Sequence, residues 1–312
     1  MKIPFTTLDV FTSTRYRGNA LAIVLPPTPS TLTQSQKQSI ANEFDLSETV
    51  VMHLPPSSTS STTPPTEITI DIFTSHIEIP FAGHPTIGSA FFVLNYLNLN
   101  SVTALITKAG RIPISRVGER VRAEVPFDVH VHAVETPCSL QASGESNPTV
   151  SIVNGMAFTY VQLPDLETLA RAGELGNLHK DTYTTDALDE GWRAGLVGTM
   201  YYVFVGEEET EEGGKKVKTK KYRTRMFATE EDPGTGSASS GLGVWLAGEE
   251  DGEGNVGMFR YGFEQGVEMG RRNEIWVDVE TGGEGVTGLK RGIKKVWLSG
   301  EAVRVMEGEL EI

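Results

Sequence analysis

The sequence contains a single cysteine, and this scarcity excludes several kinds of chemistry. Cys138 is the one cysteine among 312 residues. An intrachain disulfide, a thiolate metal cage and catalysis by a pair of thiols each need at least two cysteines. We therefore expect a protein of a reducing compartment that folds and acts without paired thiols.

Positive charge and long apolar runs are also scarce. The 27 Lys and Arg residues stand against 41 Asp and Glu residues, which gives a net charge of −14 at pH 7. Nucleic acids and anionic membranes are bound through clustered basic side chains, so neither is an expected partner. No segment approaches the roughly 20 apolar residues of a membrane span, and the N-terminus lacks the apolar stretch of a secretory signal. We expect a cytoplasmic globular protein.

The predicted elements follow one plan twice. Strand-type sequence opens each half, and a polar helix follows at residues 33–44 in the first half and at 165–172 in the second. Each half then reaches a helix rich in small residues, at 83–97 and at 236–247. Alternating apolar and polar residues, typical of strands, fill most of the remainder.

This plan predicts two domains of mixed α/β type. We predict that residues 1–127 form the first domain, which the C-terminal strand at 300–312 completes. Residues 128–299 form the second domain, because a polar stretch rich in Ser, Gly and Pro begins shortly after residue 128.

A short motif supports an internal duplication. The hexapeptides Pro85–Ala90 and Pro233–Ala238 agree at Pro, Gly, Ser and Ala, and they lie 148 residues apart. Both follow a predicted strand and open a small-residue helix, which makes a duplication a better explanation than chance. This alignment places His84 opposite Asp232.

The two motifs predict anion-binding helix ends. A loop rich in Gly, Pro, Thr and Ser at the start of a helix presents backbone N–H groups and the positive end of the helix dipole. Two such ends could bind a small carboxylated substrate without a cluster of arginines. The alternative is a pair of ordinary capped turns, and for one loop taken alone this is the commoner case.

Three titratable side chains adjoin these elements: Glu48, His84 and Asp232. A proton-transfer enzyme needs a base whose pKa is moved toward neutrality by an apolar or like-charged setting. Glu48 and His84 are therefore candidates for such a role. The alternatives to it are a strand-end carboxylate in water for Glu48 and a helix-capping or core imidazole for His84.

Other catalytic motifs are incomplete. The serines of segment 237–241 complete no G-x-S-x-G elbow, and Gly234 and Gly236 lack the third glycine of a dinucleotide-binding turn. His130 and His132 place two imidazoles on one strand face, as some metal sites do, but no carboxylate or cysteine nearby in the sequence completes a ligand set. A solvated strand face is the favoured interpretation.

Four segments together resemble the PhzF family of phenazine-biosynthesis-like proteins. They are Glu43–Thr49, Ile79–Thr86, Glu231–Ala238, and Gln265–Gly266 with Gly270–Arg271. The resemblance spans almost the whole chain. It implies a diaminopimelate-epimerase-like fold of two pseudo-symmetric domains, each a curled, mostly antiparallel sheet or barrel around a central helix, with the active site in the cleft between the domains.

The resemblance also implies roles for site residues. Glu48 would be the general acid/base, and His84 and Asp232 would flank the substrate and assist proton handling. Gly83, Gly236 and Ser237 would bind its carboxylate or other polar groups. Related epimerases and racemases use two cysteines, which Cys138 alone cannot supply, so a two-cysteine racemase is disfavoured.

The expected activity is a cofactor-independent isomerisation of a small carboxylated metabolite, possibly cyclic and amino-acid-like. The family's best-known reaction isomerises trans-2,3-dihydro-3-hydroxyanthranilate without a metal, nucleotide or organic cofactor, and the family resemblance implies a possible homodimer. The alternative is a non-catalytic metabolite-binding or protein-interaction module on the same fold. The joint presence of Glu48, His84 and Asp232 favours the enzyme, since a binder has no chemical need for all three.

Overall fold

The computed structural model divides the chain into two compact units. It describes residues 1–28, 31–55, 64–183, 188–212, 215–250, 256–282 and 288–312. The first unit comprises Met1–Glu124 and Ser299–Ile312, and the second comprises Val125–Leu298. In these described segments, no helix has both the length and the apolar character needed to cross a membrane.

The first unit is a mostly antiparallel sheet with two helices. Its strands are β1 (Lys2–Val10), β2 (Asn19–Val24), β3 (Thr49–His53), β4 (Glu67–Phe73), β5 (Glu78–Ile79), β6 (Ala104–Thr107), β7 (Gly110–Val117), β8 (Arg120–Glu124) and β18 (Ala302–Glu311). Its helices are α1 (Gln34–Phe44) and α2 (Gly83–Phe91), which continues into a π-helical turn at Phe92–Tyr96.

The second unit has the same kinds of elements. Its strands are β9 (His130–Thr136), β10 (Asn147–Val153), β11 (Gly155–Gln162), β12 (Gly195–Glu212), β13 (Lys215–Phe227), β14 (Glu231–Asp232), β15 (Gly257–Gln265), β16 (Asn273–Thr281) and β17 (Ile293–Gly300), whose last two residues already belong to the first unit. Its helices are α3 (Leu166–Ala170), which continues into a 3₁₀ turn at Arg171–Glu174, and α4 (Gly236–Glu249).

The two sheets have the same topology. In the first unit β1–β2 is antiparallel, β2–β3 parallel, β3–β4 antiparallel, β4–β6 parallel and β6–β7 antiparallel. The second unit repeats this order of orientations for β10–β11, β11–β12, β12–β13, β13–β15 and β15–β16. An outer antiparallel strand adds to each sheet, β18 on β1 and β9 on β10. The predicted fold class, two pseudo-symmetric mixed α/β units with mostly antiparallel sheets, is confirmed.

The register of the duplication differs from the predicted one. The short strands β5 and β14 begin 153 residues apart, at Glu78 and Glu231, and helices α2 and α4 also begin 153 residues apart, at Gly83 and Gly236. The predicted offset of 148 is therefore wrong. Pro85 lies inside the first turn of α2, where proline is tolerated, whereas the proline of the second hexapeptide precedes α4.

This corrected register changes the equivalent residues. His84, the second residue of α2, corresponds to Ser237, the second residue of α4, and Asp232 corresponds to Ile79 at the end of β5. The two hexapeptides matched because both helix starts are rich in small residues. The prediction that His84 lies opposite Asp232 is wrong.

Helix α2 is buried on all sides because its residues are small where the sheet approaches. All residues from Gly83 to Ala90 are buried. A Cβ atom at Gly88 would lie 2.5 Å from Leu21 Cδ2 and 2.9 Å from Val10 Cγ2, so β1 and β2 can pack this closely only against glycine. The same holds for α4, where a Cβ at Gly241 would lie 2.2 Å from the hydroxyl of Tyr160.

Candidate active site

The end of α1 delivers Glu48 to the start of β3. Helix α1 stops at Asp45, which adopts a left-handed conformation (φ 48°) and donates its backbone N–H to the carbonyl of Ala41. Asp tolerates this conformation better than most residues with a side chain. The chain then turns, and Glu48 directly precedes β3. The first residue of this strand is Thr49, and the Thr49 side chain is buried.

Glu48 contacts the first turn of α2. Its Oε2 lies 3.4 Å from Nδ1 of His84, and the two side chains are 17% and 5% exposed. The amide nitrogen of Asn19, at the start of β2, lies 3.5 Å from the same Nδ1. Three elements far apart in sequence therefore bring a carboxylate, an imidazole and an amide together.

Burial keeps the His84 ring neutral. Desolvation lowers the pKa of His84 to about 3, and a hydrogen bond with the backbone of Ala20 opposes this only in part. Nε2 is buried, and among the described residues it has no hydrogen-bond partner. A buried, unsatisfied ring nitrogen is costly to retain, so this atom is the natural contact for a polar group of a ligand.

The start of α2 lacks a side-chain cap. Ala82 occupies the N-cap position and has no side-chain oxygen for the helix amides, while its carbonyl accepts both the backbone N–H and the hydroxyl of Thr86. Of the first three residues of this helix, Gly83 and His84 have backbone N–H groups to donate, and Pro85 has none. This is the helix end for which the sequence predicts anion binding, and that role stays a prediction.

In the second unit, Asp232 organises the loop that leads into α4. Its Oδ1 accepts the backbone N–H of Gly234 at 3.2 Å, and its Oδ2 accepts the hydroxyl of Thr235 at 2.6 Å. Thr235 is the N-cap of α4, but its side chain makes no hydrogen bond to the helix amides: the hydroxyl donates to Asp232 and accepts from Gln265. The first residues of α4 are then Gly236 and Ser237, both buried.

Two amide side chains that the sequence interpretation gave no role hold this loop. Gln265 donates to the carbonyl of Asp232 at 2.8 Å and to Thr235 Oγ1 at 3.0 Å, and its Oε1 accepts the backbone N–H of Thr235 at 3.1 Å. Asn273 donates to the carbonyl of Pro233 at 2.6 Å. A Cβ at Gly234 would lie 2.3 Å from Asn273 Oδ1, which explains the glycine.

The structure thus places the predicted residues in two groups, one in each unit. Glu48, His84 and Gly83 lie together in the first unit, and Asp232, Gly236 and Ser237 lie on one loop and helix start in the second. Asn19, Gln265 and Asn273 were missed as site residues. Of these three residues, Gln265 alone belongs to one of the quoted family motifs, and that was the only signal in the sequence that could have pointed to a role in the site.

The interpretation of His130 and His132 as a solvated strand face is wrong. Their rings do share one face of β9, with centroids 4.7 Å apart, but the side chain of His132 is 0% exposed. Asp189 also reaches them, with its Oδ2 2.8 Å from Nε2 of His130. The fold brings in a carboxylate from 59 residues away, which sequence spacing could not reveal.

Comparison with known protein families shows which family this chain belongs to. The family model of phenazine biosynthesis-like proteins, PhzC-PhzF, matches residues 8–156 and 200–308. The chain belongs to the PhzF family. An uncharacterized isomerase of Pasteurella multocida is 27% identical over 314 residues, which cover 97% of this chain and 92% of that protein.

Solved structures agree with this assignment at the level of fold. A PhzF-family phenazine biosynthesis protein of Bacillus anthracis has a TM-score of 0.69 at 20% identity, and the match covers 100% of both chains. A hydroxyproline epimerase of Agrobacterium vitis has a TM-score of 0.58 at 12% identity, covering 99% of this chain and 92% of that one. The PhzF fold is therefore an epimerase-like fold in this chain too.

Proposed function

We propose that this PhzF-family protein is an isomerase that moves a proton within a small carboxylated metabolite, without a metal or an organic cofactor. Glu48 is the general acid/base. The observation that carries the proposal is the contact between the largely buried Glu48 carboxylate and the buried, neutral His84 ring, 3.4 Å apart. The name of the Pasteurella relative, an uncharacterized isomerase, supports the same class of reaction.

The surroundings of Glu48 fit proton transfer. A carboxylate with 17% exposure keeps access to a ligand while most of its solvent shell is replaced by protein. His84 contributes no positive charge near pH 7, since burial lowers its pKa to about 3. His84 therefore adds no cation beside Glu48, and in the proposed reaction Glu48 removes a proton from one carbon and returns it to another.

The helix starts suit a carboxylated substrate. The backbone N–H groups of Gly83 and His84 in the first unit, and of Gly236 and Ser237 in the second, lie at the positive ends of their helix dipoles. We propose that each of these helix starts can bind a carboxylate or another polar group of a substrate. The related epimerase was solved with trans-4-hydroxy-L-proline, a cyclic amino acid of the proposed class.

Asp232 has a positioning role in this proposal. Both of its carboxylate oxygens accept hydrogen bonds from the loop that starts α4. This fixes the direction of the first amides of α4 before a substrate arrives, and preorganised donors contribute more to catalysis than donors that must reorient. His84 and Asp232 thus support the proton transfer that Glu48 performs.

Steady-state kinetics test the proposal. The probe is trans-2,3-dihydro-3-hydroxyanthranilate, with the wild type and Glu48→Gln assayed side by side and Glu43→Gln, an exposed glutamate of α1, as the matched control. We expect kcat to fall at least about 100-fold in Glu48→Gln and to stay unchanged in the control. Full turnover by a folded Glu48→Gln protein would contradict the assignment of the base.

Two further assays define the substrate and the cofactor requirement. The methyl ester of an accepted carboxylate should bind at least about tenfold more weakly, because it cannot place a negative charge at the helix ends. Turnover should persist after dialysis against a chelator. Binding without any turnover across a panel of small carboxylates would favour the non-catalytic binding module instead.

A further inference from the structure

Two histidines and an aspartate that the proposed proton transfer does not use meet in the second unit. His130 and His132 lie on β9, and Asp189 lies in the connection between α3 and β12. One ligand atom from each of the three side chains lies within 4.8 Å of the other two. This is the one group of three or more metal-ligating side chains with that spacing in the described part of the chain.

The distances suit a small cation. Asp189 Oδ2 lies 2.8 Å from His130 Nε2 and 3.8 Å from His132 Nδ1. Ligand atoms bound tetrahedrally at about 2.0–2.1 Å from zinc are about 3.3 Å apart, so these two separations lie about half an ångström below and above the value for zinc. A small rotation of the Asp189 side chain, which is 34% exposed, can change both separations in the required directions.

Hydrogen bonds around His132 prepare Nδ1 as a ligand. The backbone N–H of Asp189 donates to Nδ1 at 3.1 Å, so Nδ1 carries a lone pair and the ring proton lies on Nε2. Nε2 then donates to Ser151 Oγ at 2.9 Å. A metal-binding histidine usually has its second ring nitrogen anchored in this way, which fixes the tautomer and the orientation of the ring.

The other two side chains are also held in place. The ring of Trp192 stacks on His130, with centroids 4.7 Å apart and an interplanar angle of 11°. The backbone N–H of Ala133 donates to Asp189 Oδ2 at 3.2 Å. His130 and Asp189 keep partial exposure, 19% and 34%, which leaves an entry path and room for a water as a fourth ligand.

We propose that His130, His132 and Asp189 form a binding site for a divalent transition-metal ion of the zinc class. Two imidazoles with one carboxylate suit Zn²⁺, Co²⁺, Ni²⁺ or Cu²⁺, whereas Mg²⁺ and Ca²⁺ prefer oxygen ligands. The ion takes the place of the proton that His130 Nε2 donates to Asp189, which leaves to solvent or moves to Nδ1 of His130, and it replaces the backbone contact to His132 Nδ1. It ties β9 to the connection before β12 and takes no part in the proposed isomerisation.

Zinc titration tests the site. The full-length protein is stripped with a chelator and titrated with Zn²⁺ by calorimetry, together with His130→Ala, Asp189→Asn and the control His76→Ala, which removes an exposed imidazole of the first unit. We expect one Zn²⁺ per chain for the wild type and His76→Ala, and an affinity at least about tenfold weaker for the two site variants. Zn²⁺ should raise the melting temperature only where it binds.

Trp192 gives a second readout that does not depend on stability. Because its ring stacks on His130, Co²⁺ at the site should quench its fluorescence, and Trp192→Phe should abolish the quenching while still binding one Co²⁺. Asp189→Asn keeps the size of the side chain, so a folded variant is available for comparison. The proposal would be overturned if the wild type showed no saturable Zn²⁺ binding, or if His130→Ala and Asp189→Asn bound Zn²⁺ as tightly as the wild type. The three side chains would then form a purely hydrogen-bonded cluster.

Discussion

The buried His84 predicts a specific loss of stability in acid. Its ordinary pKa in an unfolded chain is about 6.5, and burial lowers the pKa in the folded protein to about 3. Between these values the unfolded chain binds a proton that the folded chain does not. The contribution of His84 is therefore fully present above pH 6.5 and is lost as the pH falls toward 3.

The size of the effect follows from the two pKa values. From pH 7.5 to pH 5, proton uptake by the unfolded chain at this one residue lowers the free energy of unfolding by about 2 kcal/mol. A folded-state pKa one unit higher changes this figure very little, because both values lie well below the pH range that is measured. The prediction depends on burial of the ring and only weakly on the degree of burial.

Urea unfolding monitored by circular dichroism measures the effect. Wild type, His84→Asn and the exposed control His76→Asn are each unfolded at pH 7.5 and at pH 5, and the changes in free energy between the two pH values are compared. We expect the wild type and His76→Asn to lose about 2 kcal/mol more than His84→Asn over this interval. Equal losses in all three proteins would refute the burial of a neutral His84. The four tryptophans, Trp192, Trp245, Trp276 and Trp297, all lie in the second unit, so their fluorescence reports whether that unit unfolds separately.

Other substitutions test the packing and the ion pairs. Gly88→Ala should lower the free energy of unfolding by about 1–3 kcal/mol, because its Cβ would lie 2.5 Å from Leu21 Cδ2, and thermal unfolding would show it. Gly234→Ala should cost a similar amount and should also lower kcat, since it displaces Asn273 and with it the loop of Asp232; unchanged kinetics would contradict the role of that loop. Arg225→Ala should cost about 3–5 kcal/mol in urea unfolding, because it leaves the carboxylate of Glu231 without its two 2.8 Å contacts in a largely buried place. Lys218→Ala, which removes an ion pair to Glu207 on the exposed β12–β13 hairpin, should lower stability far less than Arg225→Ala, and an equal loss in both variants would contradict this ranking of the pairs. Light scattering of the purified chain tests the homodimer that the family resemblance implies, and a monomeric mass would contradict it.

Local features of the fold were predictable because they depend on short-range physics. The alternation of Ile68, Ile70 and Ile72 with polar residues predicted a half-buried strand, and all three isoleucines are buried in β4. The helix at residues 33–44 was also predictable, and in the structure Thr33 forms a capping box with Gln36 at its start. Periodicity and caps are properties of a few neighbouring residues, so one sequence suffices to find them.

Features that depend on long-range packing were not predictable in the same way. The repeat was expected from the hexapeptides, but its true offset of 153 residues appears only when β5 and β14 are matched as strands. The carboxylate of Asp189 reaches His130 across 59 residues, and no spacing rule anticipates that. Gln265 holds the loop of Asp232 from the end of β15, which is also a consequence of strand order and not of local sequence.

The candidate site was predictable in part. The family motifs pointed to Glu48 and His84, and the structure places these two side chains in contact. The roles given to them, and to Asp232, Gly236 and Ser237, stay predictions until activity is measured. The neutral state of His84 could not be read from the sequence, because it depends on how completely the surrounding strands and helix exclude water.

The measurement that tests the central claim most directly is hydrogen exchange at the substrate carbon. Proton NMR in deuterated water follows trans-2,3-dihydro-3-hydroxyanthranilate with the wild type, with Glu48→Gln and with the control Glu43→Gln. We expect isomerisation with deuterium incorporation by the wild type and by Glu43→Gln, and neither by Glu48→Gln. Deuterium incorporation by a folded Glu48→Gln protein at the rate of the wild type would contradict the claim that Glu48 moves the proton.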